Sequence, residues 1–156
     1  MAYWLMKSEP DVYSIDDLAR DQTELWDGVR NYQARNFLRS MVVGDQAFFY
    51  HSNTKPPGIV GLMTIAEADV VDPTQFDPSS KYYDPKSAPD QPRWRTVVVG
   101  YGETFAKMLT LDCLKATFSP EELLVVKRGN RLSVMPVADE VAAKLIAIAR
   151  RPQSEP

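Results

Sequence analysis

Gln46-Ala47-Phe48-Phe49-Tyr50-His51, running on into Ser52-Asn53, is the stretch whose reading decides the fold. It is entered through the turn Val43-Gly44-Asp45 and is dominated by aromatic residues, the mark of a β-strand. Strand alternation puts Ala47, Phe49 and His51 on one face and Phe48, Tyr50 and Ser52 on the other. Both faces are largely apolar or aromatic, so the strand belongs at the centre of a sheet.

On the N-terminal side, Asn31 is an N-cap for a helix whose apolar face is Ala34, Leu38 and Met41, with Phe37 beside it. Leu25-Trp26-Asp27-Gly28 precedes it as a brief extended piece ending in a turn signal. Ser14 and Asp17 have capping-box spacing, and Tyr13 and Leu18 the spacing of a hydrophobic staple, so a short helix runs to about Asp21. Tyr3 to Lys7 is an opening strand stopped by Ser8-Glu9-Pro10.

On the C-terminal side, Lys55-Pro56-Pro57-Gly58 is a loop and Ile59 to Val71 a long β-rich run. Residues 72–93 hold 5 of the 12 prolines, together with Phe76, Tyr82 and Tyr83 as anchors, and read as an ordered excursion rather than a linker. An irregular segment longer than ~12–15 residues inside a compact domain usually serves function. Trp94 to Val99 is a second strand, continuing toward Lys107, and Leu111 to Thr117 a short helix. Ser119-Pro120-Glu121-Glu122 has the form of a helix start. Lys127 to Arg131 is a basic turn, and Pro136 opens a last helix striped by Val137, Val141, Leu145 and Ile148.

Strands and short helices alternate without a regular βαβ beat. The expected class is α+β, a small curled mixed β-sheet or half-closed barrel with short helices on its outside. One domain is expected over 1–151, with 152–156 a loose tail.

Composition removes several classes of function. The 156 residues are 44% hydrophobic and 25% charged, which fits a globular domain rather than a disordered or fibrous chain. The longest uncharged apolar stretch, Gly58 to Ala66, falls well short of the ~20 residues of a membrane helix. Glu9 follows the first residues with no basic leader, so no signal peptide is expected. A cytoplasmic, monomeric domain without a membrane partner is the resulting expectation. His51 is the only histidine and Cys113 the only cysteine, which rules out metal sites built on several imidazoles or thiolates.

The net charge of −3 argues against nonspecific coating of nucleic acid. Its distribution is uneven, however. Residues 25–60 carry 4 basic and 2 acidic side chains, and 81–131 carry 9 and 6. Residues 1–24 carry 2 and 6, and 61–80 carry 0 and 4.

Four segments carry candidate chemistry. Trp26 to Arg35 crowds Trp26, Val29, Arg30, Asn31, Tyr32 and Arg35 into the turn leading to a helix start. There, free N–H groups suit an anion or a base edge, and aromatic faces suit a planar ligand. Tyr50-His51-Ser52-Asn53 is a strand end that turns polar. Lys7-Ser8-Glu9 and Arg128 to Ser133 place basic and hydroxyl side chains beside turn formers, with Arg128, Arg131 and Ser133 suited to phosphate. No GxxxxGK[ST], GxGxxG or HExxH motif is present, and Cys113 has no basic neighbour. No cofactor is expected.

Several of these runs also carry a resemblance. Tyr3 to Pro10, Trp26 to Asn36, Val43-Gly44-Asp45 through Ser52, Tyr83-Asp84-Pro85-Lys86 with Pro92-Arg93-Trp94, and Arg128 to Ser133 together resemble the EVE domain family. They occur in the same order across about residues 2–150. The resemblance implies a PUA-like fold, akin to YTH and ASCH domains, and a non-catalytic reader of modified bases in DNA or RNA. Methylated or hydroxymethylated cytosine is the implied ligand class, bound over a short footprint.

On that reading the base would stack on aromatic rings near Ser8, Asn31, His51 and Ser52, with Arg30, Arg35, Arg128 and Arg131 on phosphate or base edges. The full candidate set adds Lys7, Glu9, Trp26, Val29, Tyr32, Tyr50, Asn53, Trp94 and Ser133. Two further readings stand beside it. One is an enzyme acting on a modified nucleotide through His51 as acid–base, with Glu9 or Asp27 nearby. The other is a module whose aromatic cleft takes a peptide or small molecule.

Overall fold

The computed structural model describes residues 1–151; the tail expected at 152–156 lies outside them. Six strands form one mixed sheet: β1 (Tyr3–Ser8), β2 (Thr23–Leu25), β3 (Gln46–His51), β4 (Gly58–Val71), β5 (Arg95–Thr110) and β6 (Val134–Val137). Their order is β2-β5-β4-β3-β1-β6. β1 and β3 pair in parallel, with Tyr3 opposite Gln46 and Ser8 opposite His51, while every other pairing is antiparallel. The sheet bends sharply through repeated register shifts between β4 and β5 and does not close. Gly61 lies inside that bend, where an added Cβ would stand 2.4 Å from the Glu103 carbonyl oxygen.

The central strand behaves as its alternation requires. Phe48 and Phe49 are both fully buried, on opposite faces. One face carries Leu5, Phe48, Tyr50, Leu62 and Leu109, covered by α3 (Leu111–Thr117) and α4 (Asp139–Ala149). The other carries Trp4, Met6, Phe49, Met63 and Val97, covered by α1 (Ile15–Asp21) and α2 (Tyr32–Ser40). Each fully buried large side chain is worth roughly 1.5–3 kcal/mol.

The predicted helix starts at Ser14 and Asn31 form. Ser14 and Asp17 complete a capping box, and Asn31 accepts from the Ala34 N–H at 2.9 Å. Asp45, 2% exposed, ties the turn before β3 to the N-terminus. It accepts from the Ala2 N–H, the Trp4 indole and the Val42 N–H at 3.0–3.1 Å. Burial alone would raise its pKa; these donors outweigh burial and hold it low.

Two readings of the C-terminal third are corrected. Pro136 does not open the last helix: Val134–Val137 is an edge strand antiparallel to β1, where a proline without an N–H is tolerated, and α4 begins at Asp139. Ser119-Pro120 starts no α-helix either. Glu122 and Ser119 cap each other reciprocally, but Leu123, Val125 and Val126 are drawn into the core and shorten the segment to a 3-10 turn at Leu124–Val126.

His51 has a structural task. Its Nε2 accepts from the Ile15 N–H at 3.1 Å, at the start of α1, and its ring meets Phe49 edge-on at 5.4 Å. Burial lowers its pKa, opposed by nearby Asp16, so the neutral ring is the folded form. The folded pKa lies below the unfolded value of about 6.5, so this stabilisation is present above that pH and is lost as pH falls through the folded pKa. His51→Gln keeps an acceptor but cannot titrate. Urea midpoints measured from pH 7.5 to 5 are expected to fall less for His51→Gln than for the wild type, by about 1 kcal/mol, the worth of one hydrogen bond.

Candidate functional site: an aromatic and polar cavity

A cavity of about 490 Å³ opens where the end of β1, the Val12-Tyr13 turn and the segment after β2 meet the 72–94 excursion. Lys7, Ser8 and Glu9 come from β1 and its exit, Trp26 to Arg30 from the segment after β2, Lys81 and Tyr82 from the excursion, and Ser133 from the turn before β6. The strand end and two turns are locked together. Lys7 donates its N–H to the Ser133 carbonyl at 2.8 Å, Ser8 Oγ donates to the Tyr13 carbonyl at 2.7 Å, and Asn53 Nδ2 holds the Glu9 carboxylate at 2.8 Å.

Trp26 is both wall and core. It is 7% exposed, meets Phe49 edge-on with centroids 5.5 Å apart, and donates its N–H to the Val97 carbonyl at 3.0 Å. Gly28, at φ +80°, lets the opposite aromatic in: an added Cβ would lie 2.6 Å from the Tyr82 ring. No side chain fits between that turn and that ring.

Asp72, 1% exposed, fastens the excursion to the Gly28 turn. It accepts from the Gly28 N–H at 2.9 Å, Arg30 Nη1 at 3.1 Å, and both the N–H and the hydroxyl of Thr74. Arg30 further donates to the carbonyls of Val29 and Tyr82 and to the Thr74 hydroxyl, and lies over Trp94 at 5.0 Å. Tyr32 stacks on Trp94 at 4.9 Å, Arg35 covers Tyr32 at 4.8 Å, and the Trp94 indole donates to Asp84 at 2.8 Å. Buried Gln75 donates to the Asp72 and Trp94 carbonyls and accepts from the Trp94 N–H and the Ser87 hydroxyl. The excursion is thus as ordered as its aromatics suggested.

The electrostatics are mixed. Burial lowers the pKa of Lys7, whose ammonium lies 5.7 Å from the Tyr50 ring centre. Burial raises those of Glu24 and Asp27, and for Asp27 the charge of Asp72 adds to it. Among the described residues no cluster of His, Cys, Asp or Glu has the arrangement to hold a metal ion.

Of the residues singled out from sequence, Lys7, Ser8, Glu9, Trp26, Val29, Arg30 and Ser133 line the cavity. Tyr32, Arg35 and Trp94 stand behind Arg30 in the stacked column. Asn31 spends its side chain on the α2 cap, and Arg35 and most of the Arg30 donors are engaged within the protein. Tyr50 lies in the opposite core, 3% exposed, because it alternates with Phe49; burial pushes its hydroxyl up to about 12. His51 and Ser52 hold backbone, Ser52 through its N–H to the Ser8 carbonyl at 3.0 Å. Arg128 and Arg131 are exposed on the turn leading to Ser133.

Sequence reasoning missed Tyr13, Glu24, Gly28, Lys81 and Tyr82 as cavity residues. Tyr82 left a signal, an aromatic pair inside a proline-rich excursion. Glu24 left none, because only the β2–β5 pairing turns it toward the cavity.

Mouse thymocyte nuclear protein 1 is 46% identical over 156 residues, covering 88% of this chain and 69% of that protein. A Pseudomonas syringae protein of known structure is 49% identical with TM-score 0.91, covering 95% of this chain and 99% of that one. The human THYN1 protein, solved in complex with DNA containing 5-methylcytosine, is 40% identical with TM-score 0.88, covering 97% of this chain and 99% of that one. The EVE domain family model matches residues 2–148, and with these relatives it establishes that the chain belongs to the EVE domain family, with a PUA-like α+β fold.

Proposed function

We propose that this chain is a non-catalytic reader of methylated cytosine in DNA, holding the base in the cavity between Trp26 and Tyr82. The observation that carries the reading is the cavity itself: about 490 Å³, lined by the aromatic residues Tyr13, Trp26 and Tyr82 together with charged and hydroxyl-bearing residues. The complex of human THYN1 with 5-methylcytosine-containing DNA supports the choice of ligand. A base bound this way must leave its stack, at a cost of a few kcal/mol, which stacking in the cavity offsets by roughly 1–3 kcal/mol. A buried methyl adds only ~0.8 kcal/mol, so preference for the methylated base rests on how tightly the walls fit.

The absence of catalysis belongs to the same proposal. The Nε2 of His51 is committed to the Ile15 N–H, and Glu9 is held by Asn53. Cytoplasmic location is retained as part of this reading; among the described residues no helix is long and apolar enough to cross a membrane.

Lys7 and Lys81 line the cavity, Arg128 and Arg131 are exposed on the turn that leads to Ser133, and none of the four makes an ion pair among the described residues. Four phosphate contacts give an expected slope of log K against log salt of about −3 on single strands. The test is a fluorescence titration with single-stranded and duplex oligonucleotides, and an RNA counterpart, carrying cytosine, 5-methylcytosine or 5-hydroxymethylcytosine. Mass spectrometry follows each incubation. Preference for the methylated base with the oligonucleotide recovered intact is the expected result. Equal affinity for all three bases would remove the reader function, and a change in mass would make the protein an enzyme.

A further inference from the structure

The cavity contains one carboxylate that the fold does not use. Glu9 is held by Asn53 Nδ2 at 2.8 Å, and Glu24 turns one oxygen back to the Leu25 N–H at 3.1 Å. Asp72 is saturated by Thr74, Gly28 and Arg30. Asp27, between the Trp26 wall and the Gly28 turn, forms no ion pair and accepts no hydrogen bond from another residue among the described residues; the charges of Asp72 and Arg30 act on it without pairing with it. The chain on either side of it is fixed: the Trp26 N–H donates to Val97 at 3.0 Å and the Gly28 N–H to Asp72 at 2.9 Å. A free acceptor on a pinned backbone, beside an aromatic wall, is set up to meet a donor on a stacked ligand.

A carboxylate repels phosphate and attracts an amine. In a site for a nucleic acid it therefore addresses a base edge, and the exocyclic amine of cytosine is the donor to which Asp and Glu side chains are matched. We propose that Asp27 reads the 4-amino group of the bound pyrimidine and so separates 5-methylcytosine from thymine. The inference rests on the reader function proposed above. The two bases share ring and methyl and differ on the Watson–Crick edge. 5-Methylcytosine offers an amine at position 4, where thymine offers a carbonyl oxygen that Asp27 repels. Reaching the thymine N3–H instead requires the ring to slide between Trp26 and Tyr82. Methyl fit and amine reading are then separate selections, the first made by the aromatic walls and the second by Asp27.

The experiment titrates the wild type and Asp27→Asn with short single-stranded oligonucleotides identical but for one central base: 5-methylcytosine, cytosine or thymine. Single strands keep the cost of flipping out of the comparison. The wild type is expected to bind the 5-methylcytosine strand at least about tenfold more tightly than the thymine strand, and Asp27→Asn is expected to reduce that ratio to about two- or threefold. Thermal melts of both proteins should coincide, because the carboxylate has no structural partner. Equal wild-type affinity for 5-methylcytosine and thymine, with cytosine weaker, overturns the inference and leaves the methyl reader standing. An unchanged ratio in Asp27→Asn overturns the assignment to this residue. Binding to none of the strands overturns the reader function and the inference with it.

Discussion

Replacing Asp72 with alanine is expected to destabilise the protein by about 3–5 kcal/mol, the usual result of leaving a buried charge without its partner. The change strips Arg30 of its counter-ion and leaves the Gly28 and Thr74 N–H groups unsatisfied. For a chain of this length each kcal/mol lowers the melting temperature by roughly 2–4 °C, so a fall of about 6–20 °C is expected in a thermal melt. Ligand binding should go too, because Tyr82 is held against Gly28 through the same carboxylate and Arg30. Asp72→Asn keeps one acceptor oxygen and is expected to cost less, about 1–3 kcal/mol. The two variants also differ from wild type in acid. Burial alone would raise the Asp72 pKa, but hydrogen bonds from Thr74, Gly28 and Arg30 overcome it and hold it low. Its stabilisation is therefore complete above the unfolded value of about 3.9 and is lost as pH falls through the folded pKa. Asp72→Asn should flatten that part of the acid limb, read from denaturant midpoints between pH 5 and 2.

The reach of sequence reasoning in this chain follows the range of the interactions concerned. Phe48 and Phe49 declared a strand with two buried faces because alternation is local, and the caps at Ser14 and Asn31 were legible because a side chain and the N–H it caps lie within three residues. Pro136 misled for the opposite reason. A proline followed by acidic residues reads as a helix start, and only pairing with Trp4, 132 residues away, makes Val134–Val137 an edge strand.

The site divides along the same line. Trp26, Lys7 and Ser133 stood out as residue types suited to a ligand, and the fold brings them together. Arg30 and Arg35 stood out equally, as cations for phosphate. Arg30 is engaged by Asp72, Thr74 and Tyr82, and Arg35 by the Arg93 carbonyl and the Tyr32 ring, partners 42–58 residues away apart from Tyr32. Nothing in a local pattern distinguishes an arginine that stitches a loop from one that waits for a ligand. Arg128 and Arg131, singled out on the same footing, stay exposed and make no ion pair among the described residues, as does Lys81, which was not singled out.

Trp26→Ala is expected to weaken wall and core together. An exposed stacking residue could be removed with the fold intact. Trp26 is instead 7% exposed, packed edge-on against Phe49 at the centre of the sheet, and fixed through its backbone to Val97 and Thr96. Truncation of a buried tryptophan costs about 3–5 kcal/mol, since the cavity left behind adds to the lost burial. Loss of ligand binding in Trp26→Ala would therefore say nothing by itself about stacking. Trp26→Phe resolves the two contributions. It retains an aromatic edge for Phe49 and is expected to cost about 1–2 kcal/mol in urea denaturation, with an unchanged m-value. It narrows the wall offered to a base, and stacking is worth roughly 1–3 kcal/mol per base, so affinity for a methylated-cytosine strand should fall about five- to tenfold. A Trp26→Phe protein that is stable and binds with wild-type affinity would move the stacking surface to Tyr82 alone.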